Sequence, residues 1–442
     1  MKLFYFVIFL FFLNSCSFDN KSGIWKDISD IKDSKDNDVF KDFSEVIIKS
    51  DTKFDEIINI DKNYDFSLSP VINPIDWKES FYNKNNNYSN FQYKNENTVK
   101  FMSKKLSRFQ TNKKIFFTND YIFLSDIKGN IFIYSFKNKD LKKFNFYKKN
   151  FKNIEKQLNI ILEDNKIFVT DNIGYFYAID YINSKIIWAK NYKIPLRSNV
   201  KLTKNKIIFA DQNNNLIFAN KNNGEIVKRI PTEEVLVKNN FQNNLTIGEG
   251  TLFFLNVFGS LYSINLNNLK INWVLNINES LELDLGNLFE AQSTKFYSKK
   301  LTVLTNKNLS VLNANNGSYV FNIPLSGKTE PLISGNQIFI ITKNNLLVCV
   351  DFNTGKIIYS YNINQKIADY LKIKKNKVNV NLIRVINNNL YLFLHNSYIV
   401  KFNIRGEIKE IQKLKKQMSS DPIFIDGEMI YLDKKNKLIV VD

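Results

Sequence analysis

The feature that most constrains this chain is a repeat, clearest from Lys166 to Trp188: KIFVTDNIGYFYAIDYINSKIIW. It reads as three short strands joined by two tight turns. Ile167 to Thr170 alternates as a half-buried strand does, Asn172 to Gly174 supplies turn residues, and Tyr175 to Ile179 forms the next strand. Asp180 stops that strand, Asn183 and Ser184 turn the chain, and Lys185 to Trp188 runs back with a large flat side chain at its end. Apolar positions of helical period are absent from the unit.

Aligned on the residue that ends the second strand, the copies fall at Lys137, Asp180, Asn220, Asn265, Asn313, Asp351, Asn403 and Asp442, spaced 38 to 52 residues apart. Ser184, Gly224, Leu269, Gly317 and Gly355 follow at one fixed offset, with Asp140 and Gly406 one residue sooner. Four residues further stand Phe144, Trp188, Lys228, Trp273, Phe321, Tyr359 and Glu410, mostly aromatic. A period in the forties built of short strands is the signature of propeller blades. The expected fold is all-β, an eight-bladed β-propeller over residues 70–442. The eighth copy, Glu428 to Asp442, ends before its blade is complete, so an N-terminal strand is expected to close the ring. Val71 to Trp77 is the expected supplier, and closure removes exposed edges.

Ahead of the repeats, Lys2 precedes an apolar run to Leu13 that is too short to span a bilayer and reads as a signal peptide over 1–15. Leu13-Asn14-Ser15-Cys16 resembles the lipobox of bacterial lipoproteins, which implies cleavage before Cys16 and its acylation; several acyl chains bind a membrane stably. Ser17, rather than aspartate, favours the outer membrane. Residues 16–69, rich in Asp, Lys, Asn and Ser, read as a flexible tether of roughly 40 Å reach.

The chain holds 62 basic and 43 acidic residues, a formal net charge of +19. A secretory signal sends such a chain away from nucleic acid, and its lysines, including the cluster Lys372 to Lys377, read mostly as solvated surface. A basic surface also favours acidic membrane headgroups or an acidic protein partner. With Cys16 acylated, Cys349 is left alone in the alternating strand Leu347 to Val350, as a buried small hydrophobe. His395 reads as a surface turn residue. One His and one thiol build no zinc cluster, and neither a supported Ser-His-Asp arrangement nor a Gly-rich phosphate loop is present. No catalytic residue, cofactor or metal is expected.

Gly174-Tyr-Phe-Tyr-Ala-Ile-Asp180 with Trp188, Gly259-Ser-Leu-Tyr-Ser-Ile-Asn265 with Trp273, and Val350-Asp-Phe-Asn-Thr-Gly-Lys356 resemble the quinoprotein-type propeller repeat. With the lipobox, tether and eight copies, the chain resembles the BamB family, propeller lipoproteins of the machine that folds barrels into the outer membrane. The resemblance implies a non-enzymatic scaffold, facing the periplasm, that docks on the periplasmic domains of the central, BamA-like barrel component and can meet nascent outer-membrane proteins. Ile194-Pro-Leu-Arg-Ser198 matches the family's Leu-Arg docking loop, with Leu196 as apolar anchor and Arg197 as charged hot spot; read as residues alone, it is a polar connection between blades. One departure stands out: Asn239, Asn240 and Gln242 occupy positions where the family tends to place acidic residues. The alternatives are a lipid-anchored propeller that binds another envelope protein or polysaccharide, and a quinone-dependent dehydrogenase on the same fold. The adjacent cysteine pair of those enzymes is missing.

Overall fold

The structure, a computed structural model, describes residues 16–18, 25–27, 54–148, 151–235, 242–278 and 291–442. The expected signal peptide and most of the expected tether lie outside these residues. Cys16–Phe18 pairs antiparallel with Trp25–Asp27 in a unit, Met1–Thr52, that is separate from the compact unit Lys53–Asp442.

The larger unit is built almost wholly from strands. Eight antiparallel meanders follow one another along the described residues, each running from an inner to an outer strand. Their inner strands are Phe116–Thr118, Leu158–Glu163, Lys201–Leu202, Asn244–Gly248, Ala291–Tyr297, Leu332–Ser334, Val380–Ile386 and Ile423–Ile425. The repeat read from the sequence corresponds to the second, third and fourth strands of each sheet. The inner strand escaped that reading because in several sheets it is only two or three residues long. Neighbouring sheets pack face to face through shared clusters: Phe123 with Ile179, Phe176 with Phe209, Phe218 with Phe254, Phe253 with Leu301, and Val311 with Val348. One large cluster joins Leu347 of the sixth sheet, Leu392 of the seventh, Tyr431 of the eighth and Ile122 of the first, which closes the circle.

The aromatic position at the end of each unit has a physical cause. In the second to seventh sheets the pairing of the third and fourth strands slips by one residue, as between Ala178 and Ile179 or Ser263 and Ile264. Such a bulge re-aims the side chains beside it, here onto the turn of the next sheet. A Cβ on Gly224 would collide with the Trp188 ring, one on Gly317 with Trp273 and one on Gly355 with Phe321. These glycines also have φ of 71° to 76°, which other residues adopt only with strain. The Trp188 and Trp273 indoles donate to Lys221 O at 3.0 Å and Ala314 O at 3.1 Å, and where Lys228 replaces Trp its Nζ donates to Leu269 O at 2.6 Å.

Closure differs from the sequence expectation in which segment supplies it. The C-terminal strand Lys437–Val441 pairs antiparallel with Val99–Lys105, which becomes the outer strand of the eighth sheet. Val71–Ile72 instead lies parallel to Asn90–Phe91 and extends the seventh sheet at its inner edge. Its pairing ends after two residues, before Pro74, which has no N–H to continue a ladder.

The tether also ends earlier than residue 69. Residues 54–69 lie along the sixth sheet: Ile58 exchanges backbone hydrogen bonds with Ser360, the Tyr64 hydroxyl donates to Asp351 Oδ2 at 2.9 Å, and Ser69 N donates to Ser334 Oγ at 3.0 Å. Apolar residues that stand singly in sequence, Ile60, Tyr64, Phe66 and Leu68, all pack against the large cluster.

Candidate functional site

Two places could carry function: the loop holding Leu196 and Arg197, and the axis around which the sheets are arranged.

The loop connects the second sheet to the third. Leu196 N donates to Asp171 O at 3.1 Å, Arg197 N to Ala210 O at 2.9 Å, and Asn243 N to Arg197 O at 2.7 Å, so three sheets hold it. Leu196 is 2% exposed and belongs to the core between the second and third sheets. It is therefore not a surface anchor. Arg197 is 8% exposed; its Nη1 reaches Gln157 Oε1, an exposed side chain, at 3.5 Å. Burial draws its guanidinium pKa down. Asn239 and Asn240 lie outside the described residues; Gln242 is exposed at the start of the fourth sheet.

The axis is filled by the chain itself. From Pro74 to Phe91 the backbone makes one circuit past the inner edges of all eight sheets, in their order. Asp426 N donates to Pro74 O in the eighth, Trp77 exchanges hydrogen bonds with Phe117 in the first, and Leu162 N donates to Lys78 O in the second. Lys201 Nζ pairs with Glu79 at 2.7 Å in the third. Ile247 N donates to Lys84 O in the fourth and Phe296 N to Asn85 O in the fifth. Asn87 Nδ2 donates to Ile333 O in the sixth, and Asn387 N to Phe91 O in the seventh. Asn86, at φ 58°, donates through Nδ2 to Leu245 O, Thr246 Oγ1 and Thr294 O, bridging the fourth and fifth sheets.

Cations from the inner strands or just ahead of them surround the aromatic residues of this circuit. Lys114, Lys295 and Arg384 lie over the Tyr88 ring, with the Arg384 guanidinium carbon 3.6 Å from its centre. Lys114 pairs with Asp421 at 2.8 Å and Lys295 with Glu330 at 3.2 Å. Burial pulls Lys295 down to about 8 although Glu330 opposes it, and burial likewise lowers Lys201 against Glu79. Burial acts on Lys114 in the same direction, but Asp421, Tyr88 and Glu330 outweigh it and hold that ammonium above its usual range.

The sequence reading missed this circuit and took only its first residues for a closing strand. Its signal is the aromatic density of Trp77, Phe81, Tyr82, Tyr88 and Phe91 within an otherwise polar stretch. A second feature was missed as well: the residue after the second strand caps the following turn. Asp171 Oδ1 accepts from the N–H groups of Ile173, Gly174 and Tyr175, and Asp126, Asp211, Asn256, Thr305, Thr342 and Asp433 do the same in their sheets. His395 holds that place in the seventh sheet and is an exposed turn residue, as expected. Cys349 is fully buried, and burial pushes its thiol well above the usual range. Among the described residues no group of three or more His, Cys, Asp or Glu is placed to hold a metal.

A sequence model of the family described as "Outer membrane protein assembly factor BamB" matches residues 185–377, which include the Leu196–Arg197 loop and the third, fourth, fifth and sixth sheets. The chain is a BamB-like propeller of PQQ-type repeats. The crystal structure of BamB from Moraxella catarrhalis superposes with a TM-score of 0.59 at 10% identity, over 77% of this chain and 100% of that one. A europium-containing methanol dehydrogenase superposes at 0.57 with 11% identity, covering 83% and 89%, and the computationally designed Ika8 protein at 0.55 with 9%, covering 77% and 99%. At such identities these likenesses speak for the fold alone. No curated protein matches the chain in sequence.

Proposed function

We propose that this BamB-like chain is a lipid-anchored scaffold of outer-membrane barrel assembly. In this reading its eight sheets are the blades of one closed propeller. Acyl groups on Cys16 confine it to the periplasmic face of the outer membrane, and it docks on the periplasmic domains of a BamA-like barrel component. The observation that carries the reading is the match of residues 185–377 to the BamB family, because that stretch contains the connection expected to dock. The filled axis supports a scaffold over an enzyme: aromatic and amide side chains of the chain's own N-terminal segment occupy the space at the centre of the sheets.

Within the docking loop the two residues have different roles. Leu196 is a core side chain that holds the loop's position, and Arg197 beside Gln157 presents the charge to a partner. Leu196→Ala would leave a cavity costing about 2–5 kcal/mol and so would test the fold rather than the contact. Arg197→Glu is the sharper probe. Crosslinked wild-type protein purified from membranes should bring down a barrel protein with soluble periplasmic domains; Arg197→Glu should lose it, and Arg197→Lys, which keeps a cation at this buried position, should retain it and so separate loss of the contact from loss of the fold. A pulldown in which that protein appears with none of these chains rules the scaffold reading out and points to another envelope ligand.

A further inference from the structure

Between the sixth and seventh sheets the chain inserts α1 (Ile363–Leu371), the one α-helix among the described residues, and a following loop to Asn379. The helix begins on an Asn362 side-chain cap and lays Ile363, Ile367 and Ala368 into the core. It ends where Lys372 turns left-handed, at φ 55°. Just there the pattern reverses. Tyr370 is 47% exposed, Leu371 45% and Ile373 52%, and they stand among Lys372, Lys374, Lys375 and Lys377, all exposed. Asp369 is the only acidic residue from Ile363 to Asn379.

Aliphatic and aromatic side chains interleaved with lysines on a protruding helix end suit the boundary between lipid headgroups and acyl chains. There the apolar groups insert and each cation gains from anionic headgroups. The path of the chain gives a second, independent reason to choose a membrane over an acidic protein. The described N-terminal stretch of the propeller reaches this same place: Asp55 lines a cleft of about 500 Å3 together with Lys343, Asn362, Lys375 and Lys377. Residues 17–53 are all that separate Cys16 from that point. A lipid anchor on Cys16 would therefore tether the propeller by the end that carries the patch.

We propose that Tyr370, Leu371 and Ile373, with the lysines from 372 to 377, form a membrane-docking patch that seats this end of the propeller on an anionic phospholipid surface. The placement rests on the lipid-anchor reading, but the patch itself can be tested without the anchor. The Cys16→Ser chain purified from residue 16 onward, which lacks the apolar run to Leu13 and cannot be acylated at that position, would be floated with vesicles of mixed phosphatidylethanolamine and phosphatidylglycerol, and with vesicles of phosphatidylcholine alone. Binding is expected to the anionic vesicles only and should weaken in high salt. Replacing the four lysines with Gln should lower the partition by roughly 600-fold, about fivefold per lysine. Tyr370→Ser with Leu371→Ser and Ile373→Ser should lower it comparably. All seven positions are exposed, so both variants should melt as the parent chain does.

Failure to bind anionic vesicles, equal binding to neutral ones, or binding that neither set of substitutions reduces would overturn the proposal. So would a variant set that releases a co-purifying acidic protein while leaving vesicle binding intact. The mass of wild-type protein extracted from membranes reads acylation of Cys16 separately. A bare thiol there would sink the anchor reading and leave the vesicle result to stand or fall by itself.

Discussion

Two stretches of the N-terminal region, less than ten residues apart, close the propeller in opposite ways. Val99–Lys105 does so from outside: it adds a strand to the last sheet, and its gain is a backbone ladder with Lys437–Val441 that any alternating segment could offer. Residues 74–91 do so from inside, with polar contacts to each sheet and five aromatic side chains packed among them. The first is a generic edge made specific by register. The second is specific residue by residue, since Asn86 and Asn87 each satisfy backbone groups of particular sheets. A ladder tolerates side-chain change, whereas a circuit that meets all eight sheets within eighteen residues does not.

The largest effect is therefore expected from the inside closure. Trp77 is almost wholly buried against Tyr82, Tyr88 and Phe91. Trp77→Ala should cost about 3–5 kcal/mol in denaturant unfolding, the range for large aromatic truncations in a core. Phe101 of the closing strand is only partly buried, against Tyr134 and Phe136, and Phe101→Ala should cost about half as much. If Phe101→Ala proves the more damaging, the outer ladder and not the circuit holds the ring.

The same contrast explains what could be read from the sequence. The second, third and fourth strands of each sheet announce themselves through period-two alternation, turn residues and the Trp-to-Gly spacing, so the fold class was legible. Val99–Lys105 also alternates, as VKFMSKK, yet it lies outside the repeat, and Val71 to Trp77, apolar and near the first copy, competed for the same role. Residues 74–91 have no period to find, because the segment moves on to a new sheet every few residues rather than following one face of one element. At the docking loop, Leu196 between Pro195 and Arg197 looks exposed in sequence; its burial follows from the connection dipping between two sheets, which no local pattern encodes.

A pH titration sharpens the comparison by addressing the inner closure alone. Lys295 donates to Asn86 O at 2.8 Å and pairs with Glu330, yet burial brings its pKa to about 8, below the value near 10.5 of an unfolded chain. Between these values the native state releases a proton that the unfolded state keeps. The unfolded state then binds more protons, and stability rises with pH. From pH 8 to about 10 this group should add about 2 kcal/mol, read as the difference between wild type and Lys295→Met so that the tyrosines, which begin to titrate within this window in both chains, cancel. Lys295→Met should remove this increment, measured by urea unfolding at each pH, and leave the contribution of buried Lys201, while Lys100→Met, on the closing strand, should leave both in place. An unchanged slope in Lys295→Met would mean that the ammonium stays charged through its contacts with the circuit.

The smallest expected effect separates the circuit from the segment that leads into it. Gly335, at φ 59°, sits under the Ser67 carbonyl, and a Cβ there would collide with that backbone oxygen. Gly335→Ala forces either the turn or residues 54–69 to move. The turn is held by Leu332–Ser334 and Gln337–Ile341 in a fully buried ladder, whereas the leading segment is held by a few hydrogen bonds and by side chains only partly buried against the large cluster. The segment should yield. Limited proteolysis should then cut residues 54–69 at least several-fold faster, while global stability falls by only about 1–2 kcal/mol, the cost of a left-handed alanine. Loss of stability as large as that of Trp77→Ala would show instead that the leading segment and the circuit unfold as one unit, so that the path from residue 54 to Phe91 acts as a single inner clamp.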